Sequence, residues 1–231
     1  MSTPFGYISP EQLMQDRAEF ARKGIARGRS VAMLRYQDGI AMVAENLSTT
    51  LHKISEIYDR IGFGAVGRYH EFEALRIAGI RQADLRGYSY DRSDVSGRSL
   101  AVSYSQLLGG AFSSGSEKPF EVELLVGELG LTPEADVIYR VAYDGVITDH
   151  AQSAVIGGEA EQVASRLRAS HRPDAPLTEA IATAARALGG SEALAASHLE
   201  VAVLDRNSRL RRTFRRLPAD EVAALREATD E

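Results

Sequence analysis

No cysteine occurs among the 231 residues, which rules out disulfides, thiolate metal sites and a cysteine nucleophile. No apolar run approaches the length of a membrane-spanning helix. The opening stretch, MSTPFGYISPEQ, lacks both a basic and an apolar segment. No secretory signal is therefore expected, and the expected location is cytoplasmic. Positive charge is not in excess: 27 Lys and Arg face 32 Asp and Glu, for a net charge of −5, so nothing at this level asks for nucleic acid or an anionic membrane as partner. The five histidines, His52, His70, His150, His171 and His198, are scattered without the spacing of a metal site, and no G-x-S-x-G elbow is present to seat a serine nucleophile. Neither a metal nor a cofactor is expected. What is there is ordinary: 44% hydrophobic and 26% charged residues, enough to bury a sizeable core in one large domain.

Local signals divide the chain cleanly. Ser9-Pro10-Glu11-Gln12 reads as an N-cap, a proline at the first helical position and a capping-box glutamine. A helix is expected over about residues 10–23, with Leu13, Met14, Ala18, Phe20 and Ala21 on its apolar side. Two apolar runs flank Gln37-Asp38-Gly39, and a second pair flanks Asp144-Gly145; Asp-Gly between such runs predicts hairpins. FEVELLVGEL and HLEVAVLDRN add strands, the latter with Leu199, Val201 and Val203 alternating against Glu200 and Ala202. Helices are predicted around residues 69–84, in SGRSLAVSYSQLLGGAF with Leu100, Tyr104, Leu107, Leu108 and Ala111 on one face, in EAEQVASRLRASH, in LTEAIATAARAL, and in PADEVAALREATDE. Strands come in hairpin-linked groups, not singly between helices, so antiparallel sheets covered by helices fit best. The fold class is α+β, with no repeat and no linker.

Three features invite chemistry. Gly62, Gly64 and Gly67 in IGFGAVG spell G-x-G-x-x-G, but Asp59-Arg60 interrupts the strand a dinucleotide fold would need. Ile61, Phe63 and Ala65 alternate with Gly62, Gly64 and Val66, which favours a buried strand with one small face. Asp91 and Asp94 precede a helix, where capping accounts for them. RNSRLRRTFRR (206–216) is the one candidate for nucleic-acid contact, with Arg interleaved with Phe, but Leu210 and Phe214 on one face and Arg209, Arg211 and Arg215 on the other favour a charge-guarded edge strand.

Taken together, YISPEQLMQDRAEFARKGIARGRS, LHKISEIYDRIGFGAVGRYHEFEALRIAGIRQADLRGYSYDR, EKPFEVELLVGELG and LEVAVLDRN resemble the α-type subunits of the 20S proteasome, in particular the actinobacterial kind. The resemblance spans nearly the whole chain. It implies a four-layer αββα sandwich of two antiparallel sheets flanked by helices, the Ntn-hydrolase fold, as a single domain over residues 10–231 behind an N-terminal tail, residues 1–9. It also implies a subunit with no catalytic residues. The peptidase partners of this family, the β-type subunits, use an N-terminal Thr whose own amine activates it; here Gly28-Arg29-Ser30 stands at that point behind a helix. An independent Ntn-type hydrolase, cleaved before Ser30, is the alternative.

By the same resemblance the chain forms a heptameric ring, and two such rings cap β-type rings in a 28-subunit core. The tail would be a gate, with Phe5, Tyr7, Ile8, Ser9 and Pro10 at the axis; a plug and a tail of no fixed structure both fit these residues. Lys53 matches the lysine that receives the C-terminal carboxylate of an activator tail. Gly67 matches a backbone position of that pocket and Arg22 a basic residue nearby. The activator implied is a hexameric proteasomal ATPase, and the substrates are proteins tagged with prokaryotic ubiquitin-like protein. The chain departs from the archaeal and eukaryotic pattern: the Tyr-Asp-Arg triplet upstream of the proline is absent, and Phe20 replaces the usual Tyr.

Overall fold

The structure, a computed structural model, describes residues 9–230. In chain order the elements are α1 (Pro10–Ala26), β1 (Val31–Tyr36), β2 (Gly39–Glu45), β3 (Ile54–Tyr58), β4 (Ile61–Gly67), α2 (Tyr69–Ser89), α3 (Gly97–Ser113), β5 (Val122–Glu128), β6 (Val137–Val141), β7 (Ile147–His150), β8 (Ser153–Ile156), α4 (Ala160–Ser170), α5 (Leu177–Gly189), β9 (Leu199–Asp205), β10 (Phe214–Leu217) and α6 (Ala219–Asp230). The strands form two five-stranded sheets of order β10-β9-β2-β1-β8 and β3-β4-β5-β6-β7, and every neighbouring pair is antiparallel.

Three apolar layers hold these sheets in a sandwich. Between them lie Met33, Ile40 and Met42 from one side and Ile54, Val66, Leu125 and Ile138 from the other. Outside the first sheet, Leu34, Val43, Val201 and Val203 pack under Val163 and Leu167 of α4, Ile181 and Leu188 of α5, and Val222 of α6. Outside the second, Phe63, Leu124 and Val126 pack under Phe72 and Leu75 of α2 and Leu100, Tyr104 and Leu108 of α3. The order is helices, sheet, sheet, helices: the αββα architecture.

The two-residue period of each strand therefore sorts side chains between two apolar layers instead of between core and water. HLEVAVLDRN forms the strand with the alternation expected of it, and both its faces are covered: Leu199, Val201 and Val203 face the helices, Ala202 and Leu204 face the other sheet, and Glu200 is buried, 8% exposed. The glycine motif is resolved in the same way. Asp59-Arg60 is the turn of the β3–β4 hairpin. A Cβ on Gly62 would lie 2.6 Å from Met42 Sδ, and one on Gly64 would lie 3.1 Å from Val31 Cγ1. These glycines let the sheets approach each other; they do not open a helix toward a phosphate.

Helix boundaries and faces also shift. α1 runs three residues past Lys23, to Ala26. Ser9 Oγ accepts from Gln12 N at 3.2 Å, but the Gln12 side chain turns forward to Asp16 at 2.7 Å, so only half of the capping box forms. On α1 it is Ala21 and Ile25 that are buried, with Ala18 partly so, while Leu13, Met14 and Phe20 face outward. On α3, Leu107 is 50% exposed and Ala101 takes its place in the core. Asp91 and Asp94 do cap the turn before α3, as a reciprocal pair. Of the basic segment only residues 214–216 fall in the edge strand β10, and Leu210 projects outward, 72% exposed, from the turn before it.

Candidate functional site

α1 ends at one edge of the sandwich, and residues 27–30 turn the chain into β1. Gly28 N donates to Ile25 O at 2.8 Å, and Gly158 N donates to Gly28 O at 3.2 Å. Gly28 lies flat against β4: a Cβ there would strike Val66 Cγ1 and lie 3.4 Å from Gly67 N. Gly67 closes β4 with φ +125°, in a region that side chains avoid. A Cβ on it would overlap Glu121 O, the carbonyl that accepts from Arg68 N. Gly28 is thus required by the approach of its turn to β4, and Gly67 by its own φ and the approach of the Glu121 backbone.

Lys53 sits just ahead of β3 and reaches this same turn. Its Nζ donates to Arg29 O at 2.9 Å and to Glu45 O, at the end of β2, at 3.0 Å. Its own carbonyl accepts from Ala65 N at 3.0 Å, which ties it to β4. Burial of the half-buried amine lowers its pKa from 10.5 to about 8, helped by the nearby Arg29 cation and opposed by Glu200. An ammonium carries three N–H donors; two have acceptors here, and none of the described residues takes the third. Arg29 itself is paired with Glu45.

Arg22 is not brought to this point. Its guanidinium lies 5.6 Å from the centroid of the Tyr143 ring and lines a cavity of about 440 Å³ with Glu123, Arg140 and Gly157. A smaller cavity, about 330 Å³, opens over Arg27–Ser30 and Glu45, and the two share Ala26, Gly158 and Glu159. Lys53 and Gly67 therefore meet at the 28–30 turn, and Arg22 stands on the neighbouring side of α1. Of the residues expected in a gate, Ser9 caps α1 and Pro10 opens it; Phe5, Tyr7 and Ile8 lie outside the described residues.

Sequence reasoning missed the group that organises this end. Glu200 Oε2 accepts from Lys53 N at 2.9 Å and Asn46 Nδ2 at 2.7 Å; Oε1 accepts from Ile54 N at 3.2 Å and from Arg216 Nη1. The available signal was a lone carboxylate inside an otherwise apolar strand whose two faces are both needed as core. Ser30 is buried, and its carbonyl accepts from Glu45 N at 3.4 Å. Among the described residues no group of His, Asp and Glu is arranged to hold a metal, and no helix is long and apolar enough to cross a membrane.

Comparison with known proteins agrees with this architecture. The family model described as proteasome subunit matches residues 25–204. Proteins named proteasome subunit alpha match along almost the entire chain. That of Kineococcus radiotolerans is 55% identical over 97% of this chain and 98% of its own length. That of Streptomyces scabiei is 55% identical over 99% and 94%, and that of a Nocardioides species 58% identical over 94% and 86%. The chain belongs to the proteasome subunit family, and within it to the α-type subunits, non-catalytic components of the 20S peptidase.

Proposed function

We propose that this α-type subunit builds the heptameric outer ring of a 28-subunit core with β-type partners in the cytoplasm, and that the ring controls entry of unfolded chains. Residues 1–9 act as the gate. The 28–30 turn with Lys53 and Gly67 receives the C-terminal carboxylate of a hexameric ATPase activator, and Arg22 contributes positive charge from the adjacent cavity. The substrates delivered are proteins tagged with prokaryotic ubiquitin-like protein. An independent hydrolase needs a chain that begins at Ser30; instead α1 leads into the turn, and the Arg29 carbonyl is held by Lys53.

The observation that carries this reading is the third donor of Lys53, unoccupied among the described residues, on an amine fixed by two carbonyls beside a glycine-lined turn. A terminal carboxylate is captured by just such a cation with backbone groups around it. A single ion pair of this sort contributes only about 0.2–1 kcal/mol, so several tails docking on one ring supply the avidity. The test compares a synthetic activator-tail peptide bearing a free C-terminal carboxylate with its amide, on cores carrying wild-type chain or Lys53→Ala. Stimulation of peptide hydrolysis by the free acid alone, lost in Lys53→Ala, is expected. Equal stimulation by the amide, or full stimulation of Lys53→Ala, overturns the proposal.

A further inference from the structure

Glu200 accepts hydrogen bonds from two successive backbone N–H groups, that of Lys53 just ahead of β3 and that of Ile54, its first residue. It belongs to β9, in the opposite sheet, so its carboxylate clasps the two sheets where their edges meet. The remaining partners tighten the same clasp. Arg216 on β10 donates through Nη1 to Glu200 and through Nη2 to Ile54 O at 2.6 Å. Asn46 Nδ2 bridges Glu200 to Leu51 O at 2.8 Å, and Asn46 Oδ1 accepts from Ser48 N at 3.0 Å. The whole connection from β2 to Lys53 is thereby fixed to one carboxylate.

The way Glu200 holds Lys53 matters as much as the fact that it does. It grips the backbone and leaves the ammonium to the carbonyls of Arg29 and Glu45. A carboxylate paired directly with Nζ would compete with any carboxylate ligand; one bound to the Lys53 amide supplies negative potential without occupying the last donor. The charged and titratable groups around the amine are Glu200 on β9, Arg29 before β1, Glu45 on β2 paired with Arg29, Arg216 on β10 paired with Glu200, and His52, whose Nδ1 lies 3.3 Å from Glu200 Oε1.

We propose that Glu200 is the positioning residue of the Lys53 site: through the Lys53 and Ile54 amides it sets the amine against the residue-29 turn, and through its charge it keeps that amine an ammonium with one donor open to a ligand carboxylate. The proposal rests on reading Lys53 as a carboxylate receptor. Without Glu200 the amine stays half-buried beside Arg29 but loses the negative group that favours its charged form.

The test uses cores assembled with the β-type partner and carrying wild-type chain, Glu200→Gln or Glu200→Asp. Acetylation of Lys53 by acetic anhydride over a pH series, read by peptide mass spectrometry, gives its titration midpoint whether or not any ligand binds. The midpoint is expected to fall in Glu200→Gln and to return toward wild type in Glu200→Asp, which keeps the charge. Since each pKa unit is tenfold in protonation, a fall of about one unit weakens binding of the free-acid tail peptide about fivefold near pH 8 and barely near pH 6. Superimposable midpoints in wild type and Glu200→Gln overturn the proposal, and so does failure of both variants to fold, which would make Glu200 a purely structural residue. If the midpoint shifts but the peptide binds no core, including wild type, the receptor reading fails and the coupling of Glu200 to Lys53 stands.

Discussion

The two ends of the sandwich are built on the same device with opposite outcomes. At the end near the β1–β2 turn, the Asp136 carboxylate is fully buried and accepts from Gly130 N at 2.8 Å and from Arg206 Nη1 and Nη2 at 3.1 and 2.7 Å. Arg35 Nε stands 3.7 Å away, and Arg60 and Arg206 both donate to Gly130 O. Every partner there is another part of the same lock. At the other end, Glu200 is held as firmly, yet the chain it fixes ends in Lys53, whose ammonium keeps a donor unoccupied among the described residues. A buried carboxylate is costly to desolvate unless it is paired and hydrogen-bonded; that of Asp136 is, although Arg35 Nε and Arg206 Nε beside it are buried without a hydrogen-bond partner. One network pairs its charges with one another; the other leaves one donor of the Lys53 ammonium without a partner among the described residues.

Breaking the closed end should produce the largest effect. Asp136→Ala leaves Arg206 and Arg35 half-buried without their anion and should destabilise the chain by about 3–5 kcal/mol, read as a shift in the denaturant midpoint. A loss under about 1 kcal/mol would show that water replaces the carboxylate and that the two ends are less alike than the geometry indicates.

The open end should respond to pH more than to denaturant. Lys53 has a native pKa of about 8, below its free value of 10.5. Tail-peptide stimulation should therefore fall as pH rises through about 8, where an ordinary lysine would still be charged. The effect on stability has the opposite sign. A cation whose native pKa is depressed costs folding free energy in full below the native value, and that cost is relieved as pH climbs from about 8 toward 10.5. Activator response and the Lys53 contribution to stability should thus move apart over this window, and a response flat to pH 10 would contradict a half-buried amine.

The smallest effect is expected at the start of α1, the helix that leads into the open end. Ser9→Ala removes the bond from Gln12 N and should cost about 1 kcal/mol of local helix stability, visible as faster amide exchange in the first turn. Exchange that accelerates equally near Asp136 would mean that the two ends are mechanically coupled.

Much of this was legible in the sequence. Asp-Gly turns placed both hairpins, and the structure turns the chain at Asp38-Gly39 and Asp144-Gly145 as expected, because few residues tolerate the backbone of a tight turn. Ser9-Pro10 placed the start of α1 to the residue. The glycines of β4 were readable as a small face because they alternated with Ile61, Phe63 and Ala65. Lys53 and Gly67 were marked by resemblance, and the fold does bring them to one turn.

What local pattern could not supply was the environment on each side of an element. Leu107 sits at core spacing on α3 yet faces outward, because the sheet beneath covers a stripe shifted toward Ala101. Glu200 occupies the position an alternating strand assigns to water, but a second sheet covers that face. Periodicity reports which residues share a face, and composition reports that a core must form. Which faces are covered, and therefore which carboxylate becomes a clasp and which lysine has its pKa lowered to about 8, depends on residues far away in the chain. Glu200 and Lys53 are separated by 147 positions in sequence and by 2.9 Å from carboxylate oxygen to backbone nitrogen in space. The sequence by itself marked most of the elements, their order and the family; only the packing of two sheets decided which buried carboxylates and cations would meet, because burial and the field of neighbouring charges exist only once the chain has folded.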